Sequence, residues 1–344
     1  MKRVALKIAY IGTNFHGFQR QPNHRTVEGE LINTLKDLKY IDDVYDSKFK
    51  IAGRTDKGVH CLSNVVSFIS EREIIINQIN HKLPEDIQII AKAPVRYGFK
   101  PRYAKCKHYR YIFFEDNLNV LAMKKLADIF RGKHNFTNFS KKNESQKTMI
   151  RTINKIDIIG LKNQHNNHFE SYSQKTDNSK YFTYSKRYDG DLKESGDFIK
   201  SNYLGELKSI VRFNKNFEEE DFNNATYNPI FIDVYGESFL WNMIRKMMRV
   251  FLFVGKNEME ADDVKDMLNP DNKYNIKALN PENLILMDIE YDNIRFEYDD
   301  YAIEGFKRTL IENLFDYKLK LSIENSILNS MKSLKSNISN DKVE

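Results

Sequence analysis

Apolar and polar positions alternate through Val4-Ala5-Leu6-Lys7-Ile8-Ala9-Tyr10-Ile11, which predicts a strand ending in the turn Gly12-Thr13-Asn14. Beyond the polar-aromatic loop 15–22 the period lengthens. Val27, Leu31, Leu35 and Leu38 recur at helical spacing, and Thr26 stands where an N-cap belongs. Glu28 and Glu30 fall in the first turn, where the helix dipole favours anions. The same reading places strands at 49–51, 65–68, 87–95, 109–114, 150–159, 229–235 and 284–289. Helices are expected over 74–83 (stopped at Pro84), 121–131, 240–254, 261–268 and 302–321. Strands and helices alternate without a steady βαβ rhythm. That favours an α+β fold with a mainly antiparallel sheet flanked by helices.

The pattern breaks over about 163–228, which is rich in Asn, Lys, Ser and Asp yet holds scattered Tyr and Phe. It reads as an insertion with some structure of its own. The polar tail 322–344 is expected to fray or form a loose helix. The expected organisation is an N-terminal subdomain over 1–106, a C-terminal one over 107–321 carrying the insertion, and the tail.

A chain of 344 residues with 41% hydrophobic and 30% charged positions can bury a real core. No apolar run approaches membrane-span length, and the start is too soon interrupted by charge to read as a signal peptide. Two cysteines, Cys61 and Cys106, argue against a disulfide scaffold or a cysteine zinc site, so a reducing cytoplasm is the expected setting. The net charge of +6 is uneven: residues 1–110 carry +9 and the remainder −3. A basic lobe suggests a polyanion partner; a solvated lysine-rich surface accounts for it equally well.

The segment Gly53-Arg54-Thr55-Asp56-Lys57-Gly58-Val59-His60 follows a short strand. Its glycines permit a tight turn, and its two cations favour an ionised Asp56. An exposed Asp held this way is a turn residue or a nucleophile. The run 96–111 holds six Lys or Arg, no acid, and interleaved aromatics. Bases neutralise phosphates and aromatics stack on unpaired nucleobases. On a strand, Tyr109 and Tyr111 share one face and Arg110 points to the other, so a core face with arginine in water is the alternative. The expected helix 240–254 is apolar on most sides, which makes Arg245 costly unless a carboxylate such as Asp56 pairs with it. Otherwise Arg245, Lys246 and Arg249 snorkel along a polar edge. His165 and His168 lie in an Asn-rich stretch and read as a solvated loop. No phosphate loop, dinucleotide fingerprint or metal-ligand spacing stands out, so no cofactor and no metal are expected.

In order along the chain, these pieces resemble the tRNA pseudouridine synthase A family. The octet 53–60 looks like its catalytic loop, and 10–21 like its amino-terminal signature. Thr26-Val27-Glu28-Gly29 is similar to its first helix, and Tyr109-Arg110-Tyr111 to the strand bearing its active-site tyrosine. Asn135-Phe136-Thr137-Asn138-Phe139 resembles its Asp-Phe-Thr-Ser-Phe element, and 236–245 the segment carrying its arginine. Two departures are a longer stretch between Arg151 and Phe239, and Trp241-Asn242 where many members carry a His pair.

The resemblance implies a pseudouridine synthase fold with an RNA-binding cleft between two subdomains. It implies isomerisation of uridine in the tRNA anticodon stem-loop, at positions 38–40, by a homodimer without cofactor. Asp56 would be the essential carboxylate, as nucleophile or base. Arg245 would orient it, and Tyr109 would stack on the extruded uracil. Arg54 would fill the vacated space or grip a phosphate. Arg20, Lys57, Arg102, Lys105, Lys107 and Arg110 would form the phosphate track. The rival readings are an RNA-binding or tRNA-folding protein without isomerase activity, and a synthase acting on another RNA position.

Overall fold

A computed structural model of the chain describes residues 2–115, 117–141, 148–160 and 229–340, with side chains through 331. The insertion expected at 163–228, with His165 and His168, lies outside the described residues. Apart from the last two residues of one strand, the elements below belong to one compact unit.

One ten-stranded sheet runs through that unit. Its strands are β1 (Lys2–Tyr10), β2 (Lys50–Ile51), β3 (His60–Ser70), β4 (Ile87–Pro94), β5 (Cys106–Phe113), β6 (Gly132–Asn135), β7 (Ile150–Gly160), β8 (Ile230–Gly236), β9 (Leu284–Glu290) and β10 (Glu297–Tyr298). Their order is β10-β4-β1-β3-β9-β5-β8-β7-β6, with β2 also on β3. The pairings β1–β3, β1–β4, β5–β8, β5–β9 and β6–β7 are antiparallel, whereas β3 and β9 run parallel. The short strands β6 and β10 carry too little alternation to be read from sequence.

Among the described residues, six α-helices accompany the sheet: α1 (Val27–Asp37), α2 (Ile76–Lys82), α3 (Val120–Phe130), α4 (Met243–Gly255), α5 (Val264–Leu268) and α6 (Asp300–Asn340). The Thr26 side chain caps α1 by accepting from the Gly29 N–H. The helix expected over 302–321 runs on to Asn340, because neither Gly nor Pro interrupts it after Gly305.

Cross-strand partners define one face. Tyr10 lies opposite Cys61, Cys61 opposite Leu286, Leu286 opposite Tyr109, and Tyr109 opposite Val234. Directly opposed residues point the same way, so all five share a face. Two apolar cores cover it. One joins α1 and α2 to β1, β3 and β4 through Leu31, Leu35, Ile79, Tyr10 and Phe68. The other joins α3 and α4 to β5 and β8 through Phe130, Met247, Phe251, Tyr111 and Ile232. Tyr109 packs against both.

β1 occupies one edge of β3 throughout, so β2 and β9 share the other. β2 holds it at Val66 and Ser67, and β9 at His60 and Cys61. The loop 53–59 emerges where the one hands over to the other.

Candidate active site

The loop is built by contacts the backbone cannot avoid. Gly58 adopts φ +82°, a left-handed conformation that favours glycine. Gly12 packs so closely that a Cβ there would lie 2.1 Å from the Val59 carbonyl oxygen. Buried Asn64 brackets Gly53, accepting its N–H at 3.2 Å and donating to its carbonyl at 2.8 Å. The buried Tyr10 hydroxyl meets Thr55 Oγ1 at 2.8 Å, and Phe18 N–H donates to the Thr55 carbonyl at 3.0 Å. The Gly12 N–H donates to His60 Nδ1, and burial lowers the pKa of that imidazole.

Asp56 therefore stands on a fixed frame. Its Oδ2 accepts from Arg245 Nη2 at 2.7 Å and Nε at 3.2 Å. Arg245 is held in turn: Nη1 donates to the Leu279 carbonyl at 2.8 Å and Nη2 to Asn242 Oδ1 at 2.6 Å. Of the two readings for this arginine, pairing with Asp56 is what the structure displays, and the geometry is a fork on a carboxylate. Lys246 instead donates to the Asn138 and Ser140 carbonyls, and Arg249 to that of Lys277.

The second carboxylate oxygen has a donor that the sequence did not reveal. Trp241 Nε1 donates to Asp56 Oδ1 at 2.9 Å. The pattern placed Leu240 to Asn242 inside the helix; α4 begins at Met243 instead, with Asn242 left-handed at φ 64°. That turn carries Trp241 off the helix and over the loop. The signal available was Asn, the non-glycine residue most at ease in that conformation, directly before the apolar run.

Tyr109 stands beside the loop. Its hydroxyl would lie 3.8 Å from a Cβ at Gly53, and its ring meets Phe239 edge-on at 5.3 Å between centroids. Burial raises the phenol pKa, with smaller contributions from Cys61 and Asp56. An anchored carboxylate, a forked guanidinium and a partly buried phenol are thus brought together where the two cores meet. They can hold a planar polar ring and deliver one carboxylate oxygen to it.

A family model described as tRNA pseudouridine synthase matches residues 7–104 and 126–292. The chain belongs to the tRNA pseudouridine synthase family. It is 47% identical to tRNA pseudouridine synthase A of Methanobrevibacter smithii, over 97% of this chain and 99% of that one. It is 38% identical to the protein of that name from Methanothermobacter thermautotrophicus over 92% of each chain. For Methanosphaera stadtmanae the identity is 37%, over 91% of this chain and 92% of the relative. Pseudouridine synthases are isomerases, and a mixed sheet flanked by helices is the architecture expected from the family resemblance.

The cations expected on the synthase's phosphate track divide. Arg20, Arg54, Lys57, Arg102 and Lys105 are exposed, Lys105 with Asp292 at 3.2 Å. Lys107 and Arg110 are corrections. Lys107 has the strand parity of Tyr109 and points inward; it is buried and donates to the Ala52 carbonyl at 2.8 Å. Burial, with a lesser contribution from Arg102, pushes its ammonium down to about 8. Arg110 points to the opposite face and is taken by buried Asp233 through two 2.7 Å bonds. Asn138, from the Asn-Phe-Thr-Asn-Phe element, bonds the carbonyls of Met267 and Asn272, which is a structural role.

Proposed function

We propose that this protein converts uridine to pseudouridine in the anticodon stem-loop of tRNA, with Asp56 as the essential carboxylate. The observation carrying this reading is the Arg245 fork on a partly exposed Asp56, in a largely buried loop between two cores, beside Tyr109. Binding RNA alone has no use for a carboxylate facing phosphates. In the reaction the C1′–N1 bond breaks, the uracil rotates, and a C1′–C5 bond forms. C5 loses a proton and N1 gains one, so the product is an isomer and its balance requires no outside electrons or groups. Extruding the base costs a few kcal/mol. Tyr109 stacks on the extruded ring and takes part in removing the C5 proton. Arg54 occupies the vacated space or a neighbouring phosphate, while Arg20, Lys57, Arg102 and Lys105 follow the backbone. The protein works as a homodimer in the cytoplasm. No described helix is long and apolar enough to cross a membrane.

The test is incubation with unmodified tRNA transcripts, mapping pseudouridine by carbodiimide-dependent primer-extension stops. Stops in the anticodon arm that vanish with Asp56→Ala support the reading. Tight binding with no stops in any tRNA favours an RNA-binding role or another RNA target.

A further inference from the structure

The two oxygens of Asp56 are not equivalent. Oδ2 accepts two guanidinium N–H bonds, which occupies both of its lone-pair sites. Among the described residues Oδ1 accepts one bond, from the neutral indole of Trp241, which leaves one lone pair free. The indole is held from its own side. Its backbone carbonyl accepts from Lys141 N–H at 3.0 Å, and the Lys141 ammonium lies 4.3 Å from the ring centroid. The left-handed turn at Asn242, whose side chain binds Arg245, sets its angle.

We infer that Trp241 is a positioning residue that fixes the rotation of the Asp56 carboxylate and makes Oδ1 the oxygen that reacts. This rests on the isomerase reading above. Without the indole, the carboxylate would be held at one oxygen only, and rotation about its Cβ–Cγ bond would swing the free lone pair away from the substrate. A neutral donor suits this place, because a second cation at Oδ1 would draw electron density from the atom that must donate it. Trp241 is 42% exposed, so part of the ring is open to RNA as well.

Trp241 is the only tryptophan in the chain, which gives the test two independent arms. Trp241→Phe keeps a ring and removes the N–H. It should lower kcat roughly 10- to 100-fold, the loss expected for one hydrogen bond to a charged group, with KM for tRNA nearly unchanged. Trp241→His restores a ring N–H and should recover part of that loss. An unchanged kcat, or a raised KM alone, overturns the inference; the latter makes the ring an RNA contact only. In the second arm, the tryptophan emission of RNA-free wild-type protein is compared with that of Asp56→Ala. A shift is expected when the carboxylate leaves the indole, and identical spectra overturn the inference. This arm needs no turnover, so it stands even if wild-type protein converts no uridine, a result that would sink the isomerase reading instead.

Discussion

Asn64 and Gly53 are joined as if by an added pair of strand bonds: the side-chain amide of the one satisfies both backbone groups of the other, at 3.2 and 2.8 Å. Asn64 is fully buried on β3, two residues of loop separate its partner from Asp56, and no solvent is at hand to replace it. Asn64→Ala should therefore strand two buried polar groups and cost about 3 kcal/mol of stability. Urea unfolding checks this. Turnover should fall further than tRNA affinity, since the frame of the carboxylate is lost and the phosphate contacts are not.

Arg245→Lys tests whether the fork or the charge matters. A lysine offers a point charge with no planar pair of donors. The variant should bind tRNA like wild type and lose on the order of 100-fold in kcat. Wild-type turnover in Arg245→Lys would reduce the residue to a counter-charge.

Arg102 and Arg110 lie in the same basic run and should behave oppositely. Arg102→Ala should lower the slope of log affinity against log salt by about 1, as one phosphate contact is lost. Arg110→Ala should leave that slope alone and cost roughly 2 kcal/mol of stability, because buried Asp233 is left with His108 alone. Filter binding across a salt series, with thermal melts alongside, separates the two.

Lys107 predicts a pH dependence. Its folded value is about 8, whereas an unfolded lysine titrates near 10.4. Between these values the unfolded chain holds a proton that the folded protein has released, so stability rises with pH across that window. From pH 8 to 9.5, wild-type protein should gain about 1.5 kcal/mol relative to Lys107→Met, measured by urea unfolding at each pH. Parallel curves would place a charged ammonium at Lys107 throughout.

Part of this is legible in the sequence. α1 with its Thr26 cap follows from period and turn chemistry, whereas period leaves Arg245 between pairing and snorkelling and spacing leaves Asp56 between turn and nucleophile; the family resemblance is what points both to the site. The misreadings have physical sources. Lys107 belongs by composition to the basic run but by parity with Tyr109 and Tyr111 to the inward face; local charge density masks the period of two. Arg110 required knowing that Asp233 sits across from it on β8, a pairing of residues 123 apart in sequence. Trp241 was hidden because an apolar run looks helical to its first residue, and only the left-handed Asn242 marks the true start.

The loop 53–59 is tied at both ends to different masses: Ala52 packs in the first core and Val59 in the second. Between those cores, β3 and β9 meet over only two residue pairs, His60 with Ile285 and Cys61 with Leu286. The loop crosses that seam like a strap, beside the Lys107 ammonium on the Ala52 carbonyl and the Ser63 hydroxyl on Asp288. Asp56 hangs on a frame rooted in β3, and its guanidinium partner is rooted in α4, so the two cores set the aim of the carboxylate jointly. Substitutions at Ile285 or Cys61 should therefore alter turnover more than RNA affinity.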